Sequence, residues 1–434
     1  MKKPKLSIVT MGCSKNLVDS ERIAFALSNF YEYTSDAQNC DVLVINTCGF
    51  IDSAKQQNVQ AILEAVHFKK QLGISKIVVM GCLSQRYGNE LKEQIAGVDA
   101  FFGANNFRDV IAYLVPKGDC RAPLEGSRIL MTPPHFAYLK IAEGCNHRCA
   151  FCAIPVIRGN HVSVPMEELI DEAAGLKSNG IKELNVIAQD TSFYGTDLYG
   201  KKTLAKLLEK LSDMKFDWIR IMYAYPTAFP IDVLEIMADR ANICNYLDIP
   251  LQHISDRILK SMLRGISRED TIKLVETMRR IVPDIAIRST FIVGFPGETE
   301  AEFNELMAFL RDVRLDRVGA FTYSREEGTP AYNLVDNIKP KTKEIRLDKL
   351  MKQQAAISLE KNKAKVGKTL KVLIDECDDK YFYGRTEQDA TEVDNRVLID
   401  KAAPIKVGEF VDLKIKKATE FDLFGILPKV SANK

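Results

Sequence analysis

The chain has 434 residues, 46% of them hydrophobic and 27% charged, and a net charge of +2. These are the values of an ordinary globular protein with room for two or three domains, and no excess of either sign announces a polyanionic partner. No apolar run reaches the roughly 18 residues of a membrane span, which argues against a membrane protein. The ten cysteines of a chain read as cytoplasmic point to metal or catalytic use rather than a disulfide framework.

The first apolar run, residues 6–11, is too short and wrongly flanked for a signal peptide and is expected to be a core strand. Residues 1–125 alternate strand and helix patterns, with strands at 6–11, 42–46 and 77–80. That alternation predicts a parallel α/β sheet, whose carboxyl-end loops line the ligand crevice. Cys13, Cys48 and Cys82 each follow such a strand by two residues. The shared offset predicts that they converge on one edge, as three ligands of an iron–sulfur cluster with one iron left open. Zinc held by three cysteines and a histidine is the rival; His67 is the only nearby histidine, mid-helix and without matching spacing. Cys40, Cys120, Cys244 and Cys377 have no partner pattern and read as small buried or incidental residues.

Residues 117–135 are rich in proline and glycine, and a linker is placed at 126–135. Six further strands are expected at 138–141, 183–188, 218–222, 246–250, 285–293 and 318–323, with helices between them. One helix is signalled by Thr299-x-x-Glu302, a capping box. Six strand–helix units predict an open or partial (β/α)6 barrel over 136–365, the last part a linking helix, with its chemistry at the carboxyl ends of the strands. Just past the first of these strands stands Gly144-Cys-Asn-His-Arg-Cys-Ala-Phe-Cys152. Its three thiols can hold three corners of a four-iron cube and leave the fourth iron open.

Residues 366–434 carry five short strand patterns and predict a small antiparallel β-barrel, OB-like in size. It holds 12 Lys+Arg against 13 Asp+Glu, net −1, with Asp375, Glu376, Asp378 and Asp379 close together. A nucleic-acid grip should be basic. The acidic cluster is either a solvated face or a surface for a basic protein.

The run Cys145-x-x-x-Cys149-x-x-Cys152 resembles that of radical S-adenosylmethionine enzymes. The further arrangement, an N-terminal domain with three separated cysteines and a C-terminal TRAM-like barrel, resembles the methylthiotransferases over nearly the whole chain. Several stretches are similar to that family's ribosomal-protein branch: Met11-Gly-Cys-Ser-Lys-Asn-Leu-Val-Asp-Ser-Glu21, where the tRNA branch usually reads G-C-Q-M-N; Ile187-Ala-Gln-Asp-Thr-Ser192; Tyr223-Ala-Tyr-Pro226; and Tyr323-Ser-Arg-Glu-Glu-Gly328.

The resemblance implies two 4Fe-4S clusters, on Cys145, Cys149 and Cys152 and on Cys13, Cys48 and Cys82. It implies S-adenosylmethionine as methyl donor and radical source, sulfide or polysulfide as sulfur source, and an electron donor such as a flavodoxin-type reductant. The implied reaction puts a methylthio group on the β-carbon of an aspartate in small-subunit ribosomal protein S-twelve, free or in the subunit, with the barrel in substrate recognition. Arg158, Gly294 and Gly297 match family positions near the cofactor, and Gln189 and Asp190 stand where many radical enzymes have Gly-Gly-Glu. Asp190 has helix capping as its alternative role. His147 is expected to shape the cysteine loop, and His253 to be structural. The sequence departs from the family in having Val164 before Pro165 where an arginine is common, so no role of that arginine carries over. A tRNA methylthiotransferase, which calls for a basic barrel, and a non-catalytic metal-stabilised nucleic-acid-binding protein are the alternatives.

Overall fold

The computed structural model describes residues 2–49, 51–116 and 127–428. Cys120, the first part of the linker stretch and the end of the terminal segment lie outside the described residues. No helix among the described residues is long and apolar enough to cross a membrane.

The N-terminal sheet contains β1 (Lys5–Thr10), β2 (Glu32–Tyr33), β3 (Val42–Thr47), β4 (Lys76–Gly81) and β5 (Ala100–Phe101), all parallel, in the order β2-β1-β3-β4-β5. The central strand β3 is buried along its whole length, as an apolar run covered on both faces requires. Val42 and Val44 pack with the helices Ser14–Ala26 and Phe107–Leu114 on one face. Leu43 and Ile45 pack on the other, against the helices Asp52–Phe68 and Cys82–Gln94. Register decides what happens at the edge: Thr10 pairs with Asn46, and Thr47 with Gly81. The three cysteine loops therefore leave neighbouring strands at one level.

Six more parallel strands form the second sheet: β6 (Phe136–Lys140), β9 (Glu183–Ile187), β10 (Trp218–Ile221), β11 (Ile243–Asp248), β12 (Ala286–Val293) and β13 (Arg317–Thr322). A two-strand ribbon, β7 (Ala142–Glu143) with β8 (Val162–Ser163), brackets the cysteine run. The order β13-β12-β11-β10-β9-β6 follows the chain, so each helix covers its own strands and the result is an open partial barrel. Outward residues such as Leu139, Val186, Ile219, Leu247 and Ile287 make the main core with the helices. The Thr299–Glu302 capping box is present at the start of the helix Glu300–Val313. The described part of the linker is tied down: Arg128 joins Glu21 of the first domain (3.1 Å) and Glu172 of the second (3.2 Å).

The terminal strands β14 (Thr369–Cys377), β15 (Tyr381–Arg385), β16 (Arg396–Asp400), β17 (Phe410–Ala418) and β18 (Asp422–Ile426) close a barrel. The expected all-antiparallel pairing is corrected at one seam, where β16 and β18 run parallel. Strand β17 crosses between them in sequence, so β18 returns beside β16 in the same direction.

This barrel packs on the inner face of the open barrel at its amino-terminal edge. Leu373, Ala390 and Phe410 meet Phe136, Trp218, Tyr246 and Ala286. Charge stitches the seam: Glu183 lies between Arg220 (2.8 Å) and Arg385, Arg317 pairs with Asp389, and Arg288 bridges Asp248 (2.9 Å) and Asp394 (3.3 Å). Of the acidic cluster, Glu376, Asp378 and Asp379 are exposed, and Asp375 is not. Asp375 turns inward to Arg385 (2.8 Å) and His135 (2.9 Å), and Asp378 closes its own turn by accepting from the Lys380 and Tyr381 amides. Glu376 pairs with Arg396.

Glu183 is fully buried; burial alone would raise its pKa, but Arg385 and Arg220 hold it down at about 2. A depressed carboxylate stabilises the fold at pH above its unfolded value of about 4.3, and that contribution is lost as pH falls towards 2. The single tryptophan, Trp218, packs edge-on against Phe410 at this seam, 4.7 Å between centroids. Its fluorescence is therefore expected to report barrel release between about pH 4.3 and 2. Glu183→Gln should lower stability at neutral pH by about 3–5 kcal/mol and flatten that acid transition. An unchanged acid transition in the variant would contradict this assignment.

Candidate active site between two cysteine triads

At the carboxyl edge of the first sheet, Cys13 is exposed, Cys48 half-buried and Cys82 buried. Gly12, with φ +123°, lets the first loop nest on the second; a Cβ there would lie 2.9 Å from Cys48 Cβ. Asn16 sits at the centre. Its amide nitrogen donates to the Thr47 carbonyl (3.0 Å), and its Oδ1 lies 3.8 Å from the Cys13 sulfur and 4.0 Å from that of Cys82. Desolvation alone would raise the Cys13 thiol, but Lys15 and Arg158 outweigh it and hold the pKa below its usual value. Burial pushes Cys82 up to about 11 despite Arg158, with Cys13 and Cys48 adding to the rise.

The second triad follows β6. Gly144, φ +77°, is forced: a Cβ would lie 2.0 Å from the Asn160 carbonyl oxygen. Backbone bonds fix the loop, Cys145 N–H to Gly159 (3.1 Å) and Ala150 N–H to Met262 (2.9 Å). Arg264 donates to the Cys149 sulfur at 3.3 Å, and the Tyr225 hydroxyl lies 3.5 Å from it. Burial raises Cys145 to about 11, with Asp190 and Cys149 adding, and raises Cys152 to about 12, with Cys149 adding.

Neighbouring cysteines add to the rise at Cys82, Cys145 and Cys152, and a multivalent cation would offset it, so each triad suits a soft, highly charged iron–sulfur group. Among the described residues no group of three or more His, Cys, Asp or Glu is placed to hold a single metal ion; in a cluster, each thiolate binds its own iron. The zinc rival loses its fourth ligand: His67 is in the last turn of Asp52–Phe68, about 22 Å along the helix from its start. Cys40 and Cys244 are buried in apolar clusters, and Cys377 is an exposed strand residue.

Arg158 joins the triads. It donates to Asn16 Oδ1 (2.5 Å), Asp19 (3.1 Å) and Glu143 (3.1 Å), all beside one triad or the other. Lys140 binds Asp19 and Glu143, and the Glu143 carboxyl is held at about 2, against burial, by Lys140 and then Arg158. Gln189 donates to Glu143 (2.5 Å), and its buried Oε1 has no partner among the described residues. Asp190 caps the turn Thr191–Phe193 through the Ser192 amide (2.9 Å) and binds His147 (2.7 Å), which stacks on Tyr225 at 3.6 Å. Its carboxylate thus positions the cysteine loop.

Gly294 and Gly297 both have a left-handed backbone, φ +72° and +82°. The Gly294 amide is taken by Glu298 and its open side by the Lys343 stem; the Gly297 amide donates to Asn337 (3.0 Å). His253 is buried, between Glu298 (3.2 Å) and the Ser255 amide (3.0 Å). Sequence reasoning passed over Asn16, Asp19, Glu143, Tyr225 and Arg264. Glu143 adjoins the cysteine run and Asn16 follows Cys13 by one helical turn, which are local signals; Tyr225 and Arg264 have none.

Between the edges lies a cleft of about 180 Å³ lined by Ile51, Phe151, Gln252, Thr290, Ile292, Phe321, Thr322, Tyr323, Ser324 and Glu326. Lys55 (2.8 Å) and Arg86 (2.9 Å) of the first domain both pair with Glu326 at its rim.

An open six-strand barrel with a three-cysteine loop after its first strand defines a radical S-adenosylmethionine enzyme, and the model of the Radical SAM superfamily matches residues 139–310. Residues 5–103 match the Uncharacterized protein family UPF0004 and residues 366–427 the TRAM domain. The radical S-adenosylmethionine methyltransferase TsrM of Kitasatospora setae shares the fold, with a TM-score of 0.57 at 14% identity over 76% of this chain and 74% of that one. The "Ribosomal protein uS12 methylthiotransferase RimO" of Chloroherpeton thalassium is 50% identical over 98% of this chain and 99% of its own. That of Cytophaga hutchinsonii is 50% identical over 98% of each, and that of Flavobacterium johnsoniae 48% over 98% of each. The chain belongs to this RimO family of radical S-adenosylmethionine methylthiotransferases.

Proposed function

We propose that this chain replaces a C–H bond by C–S–CH3 at the β-carbon of an aspartate of ribosomal protein uS12. The carrying observation is the opposition of two cysteine triads across one junction. Cys145, Cys149 and Cys152 would hold the radical-generating cluster, and Cys13, Cys48 and Cys82 the sulfur-carrying one. When bound, these groups and S-adenosylmethionine supply the electron, the carbon radical, the sulfur and the methyl group. The chain's own residues orient and exclude. Gln189 Oε1, an open buried acceptor, suits the ammonium of S-adenosylmethionine. Asp190 and His147 hold the cysteine loop, and Arg158 fixes the spacing of the two edges. The glycines Gly294 and Gly297 support the site through Glu298 and Asn337.

The hydrogen removed leaves as 5′-deoxyadenosine, and a second S-adenosylmethionine gives up its methyl group. An external one-electron donor of the flavodoxin type and a sulfide or polysulfide source complete the balance. Work on a ribosomal protein supports a cytoplasmic enzyme, and the terminal barrel would contact uS12 beyond its modified loop.

The test incubates loaded enzyme with reductant, S-adenosylmethionine, sulfide, small ribosomal subunits and tRNA, then measures masses. A methylthio gain on uS12 alone is expected. A gain on tRNA without one on uS12 would replace the substrate.

A further inference from the structure

Lys15 is an ammonium-bearing side chain enclosed at the junction of the two cysteine edges, only 8% exposed. Its Nζ stands 3.2 Å from the centroid of the Tyr223 ring, and among the described residues it makes no hydrogen bond or salt bridge. Of the charges around it, the Cys13 sulfur is two residues away and belongs to its triad, and the carboxylates are engaged elsewhere. Asp248 accepts from Arg288 (2.9 Å) and from the Tyr223 amide (3.2 Å). Asp19 and Glu143 are bound by Arg158 and Lys140. An enclosed ammonium without a bonded anion is costly, and folded proteins rarely keep one.

A second anomaly coincides with the first. Tyr223, bulky and not glycine, has φ +62°. That left-handed backbone is strained, and such strain gathers at ligand clamps. Two bonds impose it: the Thr191 amide donates to the Tyr223 carbonyl (3.1 Å), and the Tyr223 amide donates to Asp248. The effect is to aim an aromatic face at Lys15 from the carboxyl end of β10. Lys15 comes from the carboxyl end of β1, two residues after Cys13. The pair thus lies between the sheet edges that bear the two triads, where a carbon served by both has to sit.

The missing component is a small anion, and a carboxylate matches three ammonium donors over an aromatic face. We infer that Lys15, seated on Tyr223, receives the side-chain carboxylate of the target residue and so selects an acidic residue for modification. The inference rests on the methylthiotransferase reading above. It makes Lys15 a specificity-determining residue of that site.

The test measures dissociation constants of loaded wild-type, Lys15→Met and Lys15→Arg enzymes for two uS12 loop peptides, one with the target aspartate and one with asparagine in its place. Wild type is expected to prefer the aspartate peptide by about 10- to 100-fold, the range for one charge-assisted hydrogen bond. Lys15→Met should bring that ratio close to one by losing the aspartate peptide only, and Lys15→Arg should keep part of it. If Lys15→Met weakens both peptides equally, or keeps the wild-type ratio, Lys15 does not read the carboxylate. A wild-type enzyme that binds neither peptide nor whole uS12 overturns the substrate reading and this inference with it. Lys15→Arg guards against mistaking a folding defect for lost recognition, since a defect moves both peptides together.

Discussion

Cys149→Ser is expected to abolish reductive cleavage of S-adenosylmethionine and to lower bound iron from about eight to about four atoms per chain. Cys149 is the buried centre of its triad, gripped by Arg264 and facing Tyr225. Its loop is pinned by backbone bonds on either side, so the substitution changes a ligand and leaves the fold. Cys82→Ser should show the complementary pattern: the same loss of iron, retained cleavage of S-adenosylmethionine, and no methylthio product. Iron and sulfide analysis under anaerobic conditions, with 5′-deoxyadenosine quantified in parallel, checks both. Equal loss of cleavage in the two variants would show that the triads are one functional unit rather than two.

The second large effect is expected at Arg158. Its guanidinium is buried and bound to Asn16, Asp19 and Glu143, so that one side chain fastens the helix Ser14–Ala26 to the cysteine run of the next domain. Arg158→Met keeps the volume and removes the charge. Asp19 and Glu143 would then share Lys140 alone, and breaking a buried pair on one side costs about 3–5 kcal/mol. The urea midpoint should fall accordingly. Adding Asp19→Asn should recover part of the loss, because the stranded charge is removed with its partner. A midpoint within about 0.5 kcal/mol of wild type would show that Arg158 is not a structural clasp.

Much of this site is legible in the sequence because it depends on strand ends. Cysteines placed two residues past predicted strands converge once those strands pair in register, and the Thr10–Asn46 and Thr47–Gly81 pairings supply that register. The six strand–helix units follow from alternation alone. The hidden part is polar and long-range. Arg158 reads as a cofactor residue by position in a motif, yet its partners include Asn16 and Asp19, roughly 140 residues away. Asp375 reads as surface because it stands among acids, yet a strand turns it towards Arg385 and His135. Arg288 lies on the half-buried face of a strand whose other face is fully buried, and alternation alone does not name the partners, Asp248 and Asp394, that it meets there. Periodicity records burial, and nothing in it records which buried charges meet.

The seating of the terminal barrel has a consequence for traffic. Phe136, Trp218 and Ala286, at the beginnings of their strands, and Tyr246, midway along its own, are covered by Leu373, Ala390 and Phe410. Among the described residues the amino-terminal end of the open barrel is thereby capped, while the end that bears the cysteines is not. A protein target reaching in from the cysteine end would do so with a protruding loop, and the capped end keeps solvent from entering along the strand starts. The small barrel at the bottom thus restricts which shapes of substrate can be served without itself touching the reacting carbon.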